Sequence, residues 1–211
     1  MKTLKLSLIT TFSLIAIFVF TGAYRSTAQV NVAIGPKVGA SFSGFWGDDA
    51  GNINFREGLA GGLFISITPR PFFSIQPELL LQQKGAVNRN DEFNFIEDVE
   101  IGYFNVPVLL KFRIPIFHIF FPHVLLGPQF SYKFKSNYTI QTLDASMTRE
   151  IDLRNYDLGG VFGAGFDIQS KHLFFNVDAR YTLGTLSLDS AEEFDLKNSD
   201  ISIMMGIGFM F

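Results

Sequence analysis

What most limits the fold of this chain is an apolar residue at every second position, repeated in eight blocks from residue 30 to the last residue. Alternation of period two gives the two faces of a β-strand opposite chemistry. In the first block Val30, Val32, Ile34, Val38, Ala40 and Phe42 share one face, and Asn31, Ala33, Gly35, Lys37, Gly39 and Ser41 the other. The second block alternates from Leu59 to Thr68 with one exception, Phe64. The third sets Phe73, Ile75, Leu79 and Leu81 against Ser74, Gln76, Glu78, Gln82 and Lys84. The fourth sets Phe104, Val106, Val108, Leu110 and Phe112 against Tyr103, Asn105, Lys111 and Arg113. The remaining blocks put His123, Gln129, Ser131 and Lys133, then Asp157 and Asp167 among glycines, then Asn176, Asp178 and Arg180, then Asp200 and Ser202, on the polar face.

The connections alternate too. Residues 43–57, 85–101, 136–153 and 185–199 read as long polar loops, and 68–72, 114–118 and 169–172 as short turns. Eight strands of about ten residues, joined by long loops at one end and tight turns at the other, describe an all-β, antiparallel, up-and-down transmembrane β-barrel.

A soluble sandwich also alternates, but three features favour the barrel. The polar face is rich in Gly and Ala, poor choices for a solvated strand and suited to the crowded bore of an eight-stranded barrel. The apolar face is nearly uncharged, and charged residues are 18% of the chain against roughly 25% in soluble domains. Aromatics gather near strand ends, and the chain closes on Phe211, on the apolar face. A terminal aromatic of this kind resembles the signal by which the barrel-assembly machinery recognises outer-membrane barrels. Lipid offers no hydrogen bonds, so the eighth strand must pair with the first. The polar face then lines the lumen, where buried charges must neutralise one another. Lys37, Glu78, Asp178 and Arg180 are expected to form a structural salt-bridge network near mid-depth, extended by Lys111, Arg113, Asp157 and Asp167.

Residues before this region read as an export signal. Lys2 and Lys5 precede an almost wholly apolar run from Leu6 to Phe20, and Ser26-Thr27-Ala28 supplies small residues before Gln29. Basic, apolar and small-residue parts in that order mark a cleaved secretory signal peptide. The run is also short for a membrane-spanning helix. The expected organisation is a signal peptide over 1–28 and a barrel over 29–211, placed in the bacterial outer membrane and in contact with its lipid.

With the strands assigned, several motifs resemble the PorT-like outer-membrane β-barrel family. Ser74-Ile75-Gln76-Pro77-Glu78-Leu79-Leu80-Leu81-Gln82-Gln83-Lys84-Gly85 resembles its third strand. Val106-Pro107-Val108-Leu109-Leu110-Lys111 resembles its fourth and Leu126-Gly127-Pro128 its fifth. Gly35-Pro36-Lys37-Val38-Gly39 and Arg180-Tyr181-Thr182-Leu183-Gly184 are similar to the first and seventh. The resemblance implies a small outer-membrane barrel and assigns no activity. The family's name comes from a member tied to secretion of surface proteins, and no residue here carries that role over.

The four long connections hold 15 of the 20 acids and 4 of the 17 bases. Asp48, Asp49, Asp91, Glu92, Glu97, Asp98, Glu192 and Glu193 would form an acidic crown. Solvated surface charge is the plain reading; the sharper one is that the crown concentrates divalent cations or meets a basic protein partner. None of these pairs has the spacing of a dedicated calcium loop. The absence of Cys excludes disulfides, thiolate metal sites and a Cys nucleophile, and the net charge of −3 gives no footprint for nucleic acid. His118, His123 and His172 map to the short-turn end and read as turn and interface histidines, away from any rim where a catalytic pair would meet the outer leaflet. No catalytic residue, metal site or cofactor is expected, and the chain reads as a non-enzyme. The alternative is a narrow channel or gated pore for small solutes. The exported protein is expected to begin at Gln29, which N-terminal sequencing or intact mass of the membrane-extracted protein checks; retention of Met1–Ala28 would refute cleavage.

Overall fold

A computed structural model of the chain describes residues 30–47, 54–90, 95–117, 119–141, 146–150, 153–187 and 197–211. The expected signal peptide lies outside them. The described strands are β1 (Asn31–Trp46), β2 (Asn54–Arg70), β3 (Phe73–Asn90), β4 (Phe95–Arg113), β5 (Phe120–Gln141), β6 (Ser146–Glu150), β7 (Tyr156–Gln169), β8 (Leu173–Gly184) and β9 (Lys197–Met210). Each pairs antiparallel with its neighbours, and the order β4-β3-β2-β1-β9-β8-β7-β5 closes through the β4–β5 pairing. The closing seam runs between β1 and β9, from Ala33↔Met210 to Trp46↔Lys197. Eight strands therefore make one closed sheet, and β6 pairs with the upper end of β5 alone among the described strands, outside the ring.

The faces are assigned by what closure encloses. Val38, Leu59, Leu63, Leu81, Phe112, Phe162, Ile203 and Ile207, from six strands, all point outward and are exposed. Lys37, Glu78, Lys111, Asp167, Asp178 and Arg180 point inward and are buried. A surface this apolar over its whole circumference is unstable in water and suited to hydrocarbon. A sandwich, which hides its apolar faces between two sheets, is excluded by this inversion.

Phe64 breaks the alternation for a visible reason. Its ring enters the lumen, 1% exposed, and packs on Phe174 at a centroid distance of 5.6 Å. It occupies the space left by Gly206 and Gly208 on β9. A Cβ at Gly206 would stand 2.9 Å from the Phe64 ring and 2.3 Å from Asn176 Oδ1. The period-two glycines of this strand are thus the seat for one large aromatic.

The eight strands of the ring are longer than the sequence suggests, from 12 residues in β8 to 22 in β5. Much of 43–57, 85–101 and 136–153, read above as loop, continues the ladder as the upper parts of β1 to β5 and as β6. On β3, β4 and β5 the outward apolar band ends at about Leu81, Phe104 and Phe134, whereas β1 and β2 carry it on to Trp46 and Phe55. Beyond it both faces carry polar residues, so pairing persists where the apolar signal stops. Gly85, with φ of 145°, stands at this transition, and its N–H donates to Ser43 Oγ at 2.9 Å. Overpacking the Phe64 seat with Gly206→Val is expected to cost about 1–3 kcal/mol, read as a lower urea midpoint of the folded band on unheated gels. An unchanged midpoint would refute the seat.

Candidate functional site

The lumen is built in layers, each strand contributing every second residue. Lowest, at the end of the short turns, β4 supplies Arg113 and β7 Asp167, with Arg113 Nε 3.1 Å from Asp167 Oδ2. One step up, Lys111 Nζ donates to Asp167 Oδ1 at 3.1 Å and stands 3.6 Å from Asp178 Oδ1. Above this Lys37 from β1 donates to Asp178 Oδ2 at 2.5 Å and to Glu78 Oε1 at 3.0 Å. Arg180 from β8 closes the set, its two terminal nitrogens meeting both oxygens of Glu78 at 2.7 and 2.8 Å and one meeting Asp178 Oδ2 at 2.6 Å. The fork on Glu78 is the bidentate geometry that suits a guanidinium to a carboxylate.

Seven of the eight residues proposed from sequence thus stand in one chain of ion pairs, each side chain at most 3% exposed. Asp157 does not join them. It sits near the upper end of β7, accepting from Asn198 Nδ2 at 3.3 Å and from the backbone N–H of Leu186 at 3.3 Å. The parity of the alternation places Asp157 correctly on the inner face, but one face spans the height of the barrel and parity carries no depth.

His123 corrects the sequence reading. It is 4% exposed inside the lumen, not a turn or interface residue. Its Nε2 lies 2.8 Å from Asp178 Oδ1 and its Nδ1 3.5 Å from Asp167 Oδ1, so it bridges the two carboxylates that Lys111 also bridges. Gln76 and Asn176 extend the network beyond the residues expected from sequence; each donates to a network carboxylate, Glu78 at 2.6 Å and Asp178 at 2.8 Å. All three stand on the polar parity of their strands, the one signal that could have found them. His172 lies in the turn before β8, stacked on Phe209, and His118 lies outside the described residues.

Apolar groups fill the space between polar layers. Leu109, Leu125 and Val161 form one cluster and Ala60, Leu80 and Met204 another. Above them Gln82 donates to both oxygens of Asp200 at 3.0 Å and accepts from Asn105 at 2.7 Å. At the upper mouth Ile101 and Tyr103 pack with Phe45, Val99 and Leu153.

Of the acidic crown, Glu97 and Asp98 are described and both are engaged. Arg56 Nε donates to Asp98 at 2.7 Å and its Nη2 to Glu100 at 3.2 Å, while Lys135 reaches Glu100 at 2.9 Å. Tyr138 donates to Glu97, and this bond, more than partial burial, holds its phenol above the ordinary value. Asp48, Asp49, Asp91, Glu92, Glu192 and Glu193 lie outside the described residues. Among those described, no group of three His, Asp or Glu side chains is arranged to hold a metal ion.

Asp178→Asn, which strips the shared anion from Lys37, Lys111 and Arg180, is expected to destabilise the folded barrel by about 3–5 kcal/mol. Asp98→Asn, at a site 31% exposed, is expected to cost under about 1 kcal/mol. Urea titrations of the refolded variants check this contrast; equal losses would refute the depth assigned to the network.

Over residues 25–188 the sequence matches the family described as outer membrane protein beta-barrel domain. Solved structures resemble the chain at low identity. Ail, the attachment invasion locus protein of Yersinia pestis, is 18% identical, with 87% of this chain and 99% of that one covered and a TM-score of 0.45. OprG of Pseudomonas aeruginosa is 15% identical over 86% and 95%, with a TM-score of 0.48. Neisserial surface protein A is 7% identical over 83% and 97%, with a TM-score of 0.48. No curated protein matches the chain.

Proposed function

Because this chain belongs to the outer membrane protein beta-barrel domain family, and so to the bacterial outer membrane, we propose that it serves there as a non-enzymatic, internally filled barrel. Its role in this reading is structural, adhesive or in envelope assembly, exercised through the rim and the acidic connections above it. The observation that carries the reading is the filled lumen. Ion pairs linking Lys37, Glu78, Lys111, Arg113, Asp167, Asp178 and Arg180, and the apolar clusters around Leu109 and Met204, occupy the bore in successive layers. An eight-stranded barrel is narrow enough for side chains to fill it.

The non-enzymatic part is supported by His123 and His172, which stand in the lumen and at a short turn, remote from the long connections. The motifs around Glu78, Lys111 and Arg180 are read as PorT-like, a narrower kinship than the family match carries. The strand ending at Phe211 is the part offered to the barrel-assembly machinery. Divalent cations or a basic protein are the partners suited to the acidic crown of Asp48, Asp49, Asp91, Glu92, Glu97, Asp98, Glu192 and Glu193. Planar-bilayer recording of the refolded mature protein tests the proposal. No sustained openings are expected; stable unitary conductance would replace it with the narrow channel or gated pore for small solutes.

A further inference from the structure

The turn-side end of the lumen holds donors that its carboxylates do not use. Arg113, 3% exposed, lies with its guanidinium 4.3 Å from the Phe121 ring. Its Nε edge faces Asp167, and its Nη1 donates to Thr68 Oγ1 at 3.4 Å. Its Nη2 meets no acceptor. To reach Thr68 on β2 from β4, the side chain must cross β3. The inward residue there is Ser74, paired in register with Lys111. Ser66 is the next inward residue of β2 above Thr68. The hydroxyls of Ser66 and Ser74 are buried and have no hydrogen-bond partner.

Charge points the same way. The ion-pair chain contains four Lys and Arg side chains and three carboxylates. One positive charge is thus left over locally, in a setting where an uncompensated buried charge is costly. Arg70 and Lys171 stand exposed at the turns just below. A guanidinium end with hydroxyls on the neighbouring strands is a donor set for an anion, and its positive charge repels a cation.

We propose that the lumen binds one small inorganic anion, of halide size, on the terminal nitrogens of Arg113, with Thr68, Ser66 and Ser74 completing its shell. The bound ion brings the cluster to four negative charges against four positive. Burial of all four residues below a tenth of their surface excludes a ligand with an organic body. This site is independent of whether the barrel conducts, so the two readings can fail separately.

Crystals of the mature protein grown in sodium bromide test it directly. An anomalous peak is expected within about 3.5 Å of Arg113 Nη2 and Ser74 Oγ. In solution, the urea midpoint is expected to rise with chloride against gluconate at equal ionic strength. The double substitution Ser66→Ala with Ser74→Ala leaves every charge in place, and is expected to raise the half-saturating chloride concentration at least about tenfold. Arg113→Gln is expected to abolish the response. Should Arg113→Gln fail to fold, the bromide map and the serine variant decide. An ordered water in place of bromide, or an identical chloride response in wild type and the serine variant, would overturn the proposal.

Discussion

Everything in this molecule follows from the pairing of β1 with β9. Hydrocarbon supplies no partner for a backbone N–H or C=O, so an open edge at membrane depth would leave a row of them unsatisfied. Twelve register pairs from Ala33↔Met210 to Trp46↔Lys197 remove that edge. Once eight strands close, the bore is narrow and its volume is fixed. The inward residues must then fill it, and the size alternation of Phe64 over Gly206 and Gly208 shows that requirement at a single position.

Closure also decides the electrostatics. The described residues bury five Lys or Arg side chains (Lys37, Lys84, Lys111, Arg113 and Arg180) and five Asp or Glu (Glu78, Asp157, Asp167, Asp178 and Asp200). The totals balance, but the heights do not. Four of the bases lie with three of the acids in the lower ion-pair chain, whereas Asp157 and Asp200 sit above with Lys84. The interior therefore carries its positive excess toward the short turns and its negative excess toward the long connections, the same direction in which the acids of the connecting segments are concentrated.

Much of this was legible in the sequence because parity is a strong signal. Alternation put Lys37, Glu78, Asp178 and Arg180 on one face, and the requirement for neutrality grouped them before any geometry was known. Depth was not legible. Asp157 shares its parity with Asp167 yet lies ten residues along β7 from it, beyond reach of the ion pairs. His123 is ambiguous in the sequence because it lies near a short turn and also on the polar face of its strand, opposite Val124. The upper parts of β3, β4 and β5 were missed for a different reason. Where water replaces lipid outside the sheet, an outward residue need not be apolar, so the ladder continues through Glu97, Asp98 and Tyr138 without the pattern that reveals strands.

The ion-pair chain has a bearing on how such a barrel comes to exist. Its members come from β1, β3, β4, β7 and β8, and the contacts Lys37–Asp178 and Arg180–Glu78 join residues 141 and 102 positions apart. A partly assembled sheet of β1 to β4 can pair Lys37 with Glu78, but it carries Lys111 and Arg113 with their counter-charges still on strands that have not arrived. Ions stranded in this way are poorly tolerated at hydrocarbon depth, so early hairpins gain little by entering the bilayer one at a time. Insertion and completion of the ring are thereby tied into one late, concerted event, with the last strands delivering Asp178 and Arg180 as the ring shuts.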